Sequence, residues 1–303
     1  MKRRPESPGR AEALADRLPP QLWFLGSAVF HYLGPSFAVL LFAQVGVLGV
    51  AWLRIAGAAG LFLLWNRPWR VFARADREGR LLLLLLGACL AVMNCSFYLA
   101  LERLPLSLVA TIEFVGTVVL AAIGLASRRN RLALALAAGG AALLTAPRWA
   151  SDPLGLAYAI ANALLFLGYI VLGHRAAARG AGQGIQLLAT AMAIAFLLVL
   201  PVGFEQARVA FSDPRLLLAG LGVGLCSSVV PYLCDQLAMA RLPRNSYALM
   251  LALLPASATA IGALVLGQVP SQREMTGIAL VIVGVALHRP LAAVPPPAPE
   301  TPP

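Results

Sequence analysis

Apolar runs about as long as a lipid bilayer is thick recur along this chain, and they leave few folds open to it. A helix rises about 1.5 Å per residue, so about 20 apolar residues cross a hydrocarbon core of ~30 Å. Ten such runs are read from the sequence, at 21–43, 46–65, 81–101, 105–127, 131–147, 153–173, 185–203, 215–240, 245–267 and 274–288, the fifth and the last being the shortest. A transmembrane barrel would instead alternate in polarity over segments of about ten residues. Runs such as LLLLLLGACLAVM are continuous and rich in Ala, Leu and Gly, as packed membrane helices are. The runs nearly use up the 303 residues, so no soluble domain of ordinary size fits in what remains. The expectation is an all-α integral membrane protein of ten transmembrane helices.

Charge placement then gives an orientation. The formal net charge is +11, a value that could point to nucleic acid, but its distribution does not. With the N-terminus in the cytoplasm, the tail and the inner loops hold 18 Lys and Arg, the outer loops hold 5 (Arg103, Arg148, Arg208, Arg215 and Arg273), and Arg54 is left within a span. The positive-inside rule therefore places both termini in the cytoplasm. The basic excess reads as topology and as a contact for anionic lipid, with no nucleic acid partner. Residues 1–20 have no apolar h-region and read as a disordered tail rather than a signal peptide. Residues 289–303, ending in APPPAPETPP, are a Pro-rich tail.

An internal echo divides the rest. LALERLPLSLVA (99–110) aligns with LAMARLPRNSYA (237–248), sharing Leu, Ala, Arg, Leu, Pro and a later Ala. Each copy lies between the third and fourth spans of a set of five. Five is odd, so a second set enters from the opposite side, the inverted-repeat plan of secondary transporters. Residues 21–147 and 153–288 are the two expected five-helix repeats, joined by an outer loop near Pro147–Pro153. This puts Arg103 outside and Arg241 inside.

Two charges fall inside the apolar runs. Arg54 (AWLRIAGAAGLFLLW) and Glu113 (LVATIEFVGTVVLAA) each cost roughly 2.5–3.5 kcal/mol at a bilayer centre even on the lenient insertion scale. Counting residues at 1.5 Å each puts Arg54, Glu113 and Asn94 near ~12 Å below the outer surface. Opposite charges at matched depth suit either a structural pair, with Asn94 bonded to one of them, or a site for substrate or protons. Gly116, Thr117, Ala121 and Gly124 form a stripe of small or polar residues with Glu113, which suits close packing. His31 lies mid-span with Ser27 and Pro35 on its face, and Pro35 loosens the helix and frees a carbonyl. Asp235, with Ser228, Pro231 and Tyr232 nearby, reads either as a carboxylate on a cytoplasmic vestibule or as a snorkelling or paired group. Asn162 and Tyr169 share a face of the sixth span.

Other signals point away from chemistry. Cys89, Cys95, Cys226 and Cys234 lie in apolar spans without CxxC spacing and read as small buried hydrophobes. GLGVG (220–224) has no strand before it and reads as helix packing. No HExxH, GxSxG or Walker motif occurs, so no enzyme, cofactor or metal site is expected.

The segments RIAGAAGLFLLWNRPWR, MNCSFYLALERLPLSLVATIEFVG, LASRRN and SSVVPYLCDQLAMARLPRNSYALMLALLPA resemble the EamA-type branch of the drug/metabolite transporter superfamily, in particular bacterial inner-membrane threonine and homoserine exporters. The resemblance implies ten helices in two inverted halves, cytoplasmic termini, and export of small metabolites coupled to proton entry. It places Arg54, Asn94, Tyr98, Glu113, Gly116, Tyr232, Pro243 and Pro255 on the family pattern, with Asp235 where a glutamate is usual. Leu254, Thr117 and Gln268 depart from it, standing where Glu, Pro and Glu are expected.

The sequence reading is a secondary-active efflux carrier of the bacterial inner membrane for amino acids or similar small zwitterions, working by alternating access. Arg54 would meet a substrate carboxylate. Glu113 or Asp235 would meet an ammonium or carry a proton, with His31 in reserve and Asn94, Tyr98, Tyr232, Asn162 and Tyr169 as further site candidates. The alternatives are an exporter of hydrophobic amines or drugs on the same fold, or a membrane sensor or assembly subunit that transports nothing. No oligomeric state is assigned.

Overall fold

The computed structural model describes residues 18–64, 66–104, 106, 108–110, 112–114, 117, 127–144, 152–251, 253–266 and 271–287, and among these every regular element is helical. In chain order the helices are α1 (Pro20–Val45), α2 (Val47–Leu63), α3 (Pro68–Arg74), α4 (Arg77–Arg103), α5 (Arg128–Leu144), α6 (Pro153–Ala177), α7 (Ala181–Ala207), α8 (Pro214–Gly224), α9 (Val230–Met239), α10 (Arg244–Met250), α11 (Leu253–Leu266) and α12 (Gln272–Leu287). A 3-10 turn (Arg208–Ser212) follows α7, and a π turn (Leu225–Val229) joins α8 to α9.

Among the described residues, six helical stretches are long and apolar enough to cross a membrane, and the bent pair α2–α3 would make a seventh. Most described residues of the predicted spans are helical, including Leu106, 108–110, 112–114 and Thr117 of the fourth; Gly46, Leu64, Ser127, Ala240 and Leu251 are not. The tails, Gly116, Ala121, Gly124, Gln268 and residues 145–151 of the expected boundary lie outside the described residues. One helix was not expected: α3 occupies the basic gap after the second span, started by Pro68 in its first turn and turned 77° from α2.

Local chemistry sets the breaks between helices. Gly46 separates α1 from α2 with φ at +78°, a conformation glycine adopts without a Cβ penalty, and its N–H still donates to the Phe42 carbonyl. Asp76, Asp152 and Asp213 cap α4, α6 and α8, each accepting backbone N–H bonds in the first turn. Such caps satisfy donors that a helix start leaves without partners.

The burial pattern is that of a protein surrounded by lipid. Leu40, Leu164, Leu197, Leu218 and Leu264 are exposed, whereas Arg54, Glu113, Asp235, Asn94 and Asn162 are buried. Small residues allow the helices to approach. Gly220 and Gly224 of the GLGVG segment pack on Leu53 and on the Arg54 and Ala58 backbone of α2, as the packing reading requires. Gly34 of α1 sits against Ser227, and Gly168 of α6 sits against Cys89 of α4. Gly140 of α5 faces Gly277 and Val281 of α12, while Gly284 of α12 faces Ala133 and Ala137 of α5. The four cysteines are free.

Candidate functional site

Pro231 organises the first part of the site. Proline has no backbone N–H, so it cannot supply the bond an α-helix sends to the carbonyl four residues earlier, here that of Ser227. The Arg54 guanidinium takes that acceptor, with Nη2 donating to the Ser227 carbonyl at 2.7 Å and Nε to the Ser228 hydroxyl at 2.8 Å. The π turn at Leu225–Val229 lies immediately before Pro231, with the Val230 N–H reaching back to Leu225; such turns often mark functional positions. The Tyr98 ring lies 5.4 Å from the guanidinium carbon and adds a cation–π contact.

Glu113 is held differently. Asn162 Nδ2 donates to its Oε1 at 2.7 Å, and the Tyr32 hydroxyl lies 3.5 Å from Oε2. Arg54 and Glu113 both line one small cavity, with His31, Asn94, Asn162, Tyr232, Met93, Phe97 and Phe166 completing the wall. His31 packs its ring against Tyr32 and Phe166. Asn94 donates to the Leu90 carbonyl at 2.6 Å and meets the Tyr232 hydroxyl at 3.4 Å.

A second polar cluster surrounds Asp235. The Ser27 hydroxyl donates to its Oδ1 and the Tyr169 hydroxyl to its Oδ2, the latter at 2.9 Å. Tyr169 also packs on the Tyr232 ring, 5.3 Å between centroids, which connects this cluster to the cavity wall.

The geometry selects among the readings that the sequence left open. Arg54 and Glu113 line one cavity but make no ion pair; the ion pairs among the described residues are Arg103–Asp152 and Arg208–Glu205. Asn94 bonds neither charge, because Tyr232 and its own helix take its amide. Asp235 is not on an open vestibule but only 2% exposed, with both oxygens bonded to hydroxyls. Asn162 and Tyr169, which share a face of the sixth span, bond different carboxylates, Glu113 and Asp235. Sequence reasoning gave Ser227 and Tyr32 no part in the site; the Pro231 spacing was the available signal for Ser227.

Residues 153–288 match the EamA-like transporter family. The threonine/homoserine exporter RhtA of Salmonella typhimurium (strain SL1344) is 32% identical over 248 residues, 81% of this chain and 81% of the relative. RhtA of Escherichia coli (strain K12) is 31% identical over 252 residues, 82% of this chain and 84% of the relative. The chain belongs to the EamA-like transporter family. It is a multi-pass membrane transporter and not an enzyme. One solved crystal structure shares the fold at a TM-score of 0.60 with 17% identity, covering 88% of this chain and 96% of the other.

Proposed function

We propose that this EamA-family protein is a secondary-active exporter of amino acids or similar small zwitterions, working by alternating access around the Arg54–Glu113 cavity. One observation carries the reading: opposite buried charges line a single small cavity, and each is held by neutral partners instead of by the other. Such a cavity offers one pole to a carboxylate and another to an ammonium. The activity named for the RhtA relatives, threonine and homoserine export, supports the same class.

The proposed frame is ten helices in two inverted halves, 21–147 and 153–288, with both termini in the cytoplasm of a bacterial inner membrane. Packing supports the internal equivalence. A single shift of 144 residues, from 140 to 284, converts the Gly140 contacts with Gly277 and Val281 into the Gly284 contacts with Ala133 and Ala137. Asn94 and Tyr232, which touch, are 138 residues apart, the spacing of the RLP echo. Residues that are equivalent by a two-fold operation and also touch lie on or beside its axis. In this frame the axis passes the cavity, where repeat-built transporters place their site. Glu113 and Asp235, the buried acids among the described residues, are the groups available to carry a proton.

Flux in sealed proteoliposomes tests the reading. Labelled threonine or homoserine should move with wild-type protein, and an imposed proton gradient should drive it. Glu113→Gln should lower that flux at least about tenfold, the loss expected when a site loses a charged bonding group, while the protein remains folded. No amino-acid movement under any gradient would support a non-transporting subunit instead, and unchanged flux in Glu113→Gln would remove the carboxylate from the site.

A further inference from the structure

Within the proposed zwitterion cavity, the geometry points to Asn162 as the residue that makes the carrier select a free primary amino group. Asn162 lies on α6, is 1% exposed, and lines the cavity beside Glu113. Its Nδ2 donates to Glu113 Oε1 at 2.7 Å. An ionised carboxylate only accepts hydrogen bonds, so this contact fixes which end of the amide faces Glu113. The other end, Oδ1, is therefore turned away from the carboxylate, and among the described residues it is buried without a hydrogen-bond partner. A buried acceptor left so is unfavourable, and a bound donor removes that penalty.

Glu113 and Asn162 Oδ1 thus form a receptor made only of acceptors. An ammonium group presents three N–H donors, a positive charge and no acceptor, and it fits such a receptor. An N-acylated amine keeps one N–H and no charge. A hydroxyl in the same place brings one donor and an unwanted lone pair. Of the remaining polar wall, His31 packs its ring against Tyr32 and Phe166, and the other groups do not compete for the ammonium. Arg54 repels it, and Asn94 and Tyr232 are engaged with each other. The amine pole is therefore at α6 and Glu113, and the carboxylate pole at Arg54. Sites built to bond a polar group reject analogues lacking it by up to about 10⁴–10⁵-fold, far more than a difference of one methylene.

The test uses purified full-length protein in proteoliposomes and competition against labelled threonine. The competitors are homoserine, N-acetylthreonine, and the analogue of threonine with a hydroxyl in place of its amine. Wild type should prefer homoserine over the other two by at least about 100-fold. Asn162→Ala should raise KM for threonine about tenfold or more with kcat little changed, and should narrow the preference by a similar factor. Asn162→Gln keeps both an amide donor for Glu113 and an acceptor oxygen and should retain part of the preference. If Asn162→Ala carries no flux, the same ratios are read from ligand-induced thermal stabilisation of the purified protein. Two results would overturn the inference: wild type accepting N-acetylthreonine as well as threonine, or Asn162→Ala losing activity with its competitor ratios intact, which is the signature of a purely structural role. Absence of amino-acid transport in wild type would sink the exporter reading itself, whereas transport without amine selection would sink only this assignment.

Discussion

The coupling between Pro231 and Arg54 is a test of the site that does not depend on knowing the solute. Pro231 withholds the N–H that would serve the Ser227 carbonyl, and Arg54 Nη2 supplies a substitute at 2.7 Å. Replacing Arg54 by Met leaves that carbonyl buried and unserved, at about 1–3 kcal/mol. It also removes the Ser228 bond and the cost of burying a charge. In a Pro231→Ala background the helix supplies its own N–H to Ser227, so the carbonyl term disappears, while the Ser228 and desolvation terms remain and cancel around the cycle. Arg54→Met should therefore be less destabilising in Pro231→Ala than in wild type, by about 1–3 kcal/mol. Reversible unfolding of the four proteins in mixed micelles measures this directly. Additivity within about 0.5 kcal/mol would refute the claim that the proline creates the acceptor that Arg54 serves.

Three other outcomes follow from contacts elsewhere. A Cβ at Gly140 would lie 2.6 Å from the Gly277 carbonyl oxygen and one at Gly284 2.7 Å from that of Ala133, whereas nothing lies within 4 Å of one at Gly139. Thermal unfolding should show Gly140→Ala and Gly284→Ala destabilised alike, by about 1–3 kcal/mol, with Gly139→Ala near wild type. Asp152 caps α6, and Asp152→Ala should cost about 1 kcal/mol. The Gly155 backbone N–H and then Arg103 hold its carboxyl below the ordinary value of 3.8, so the cap's contribution is full above that pH and lost as pH falls through the lower native value; unfolding titrations of wild type and variant should converge there. Single cysteines at 103 and 241, in a background without the four native ones, should label from opposite faces of the membrane, and equal labelling from outside would defeat the inverted frame.

Hydropathy made the spans legible because lipid admits few ways to satisfy a backbone. Arg54 and Glu113 stood out for the same reason: an unneeded charge in an apolar run is costly. Their partners were not legible. Ser227 and Ser228 are brought to Arg54 through a π turn, which shifts the helix register that residue counting assumes. Asn162 and Tyr169 share a face but are seven residues apart, about 10 Å along the axis at 1.5 Å per residue, enough to send one to Glu113 and the other to Asp235. Tyr32 reads as an ordinary member of an apolar helix and Ser27 only as a neighbour of His31, since nothing local distinguishes a hydroxyl that reaches another helix from one that does not. α3 was hidden among the arginines of a loop, although Pro68 at its first turn was a start signal.

The separation of Arg54 from Glu113 is what makes the cavity suited to a charged solute. Had the two formed a buried ion pair, a solute would have to break it, and breaking such a pair by removing a partner costs about 3–5 kcal/mol. Here each charge is kept in the membrane by neutral groups. Arg54 has a carbonyl freed by proline and a serine hydroxyl, and Glu113 has an amide and a tyrosine hydroxyl. These partners offset part of the desolvation cost without cancelling the charge. Irregular backbone at membrane depth is tolerated where it lines a cavity or is buried in protein, and the π turn with Pro231 meets that condition beside Arg54. The same local break that weakens α8–α9 as a regular helix thus supplies the acceptor that holds Arg54 in place, and in the proposed reading it leaves Glu113 across the cavity free to take an ammonium group.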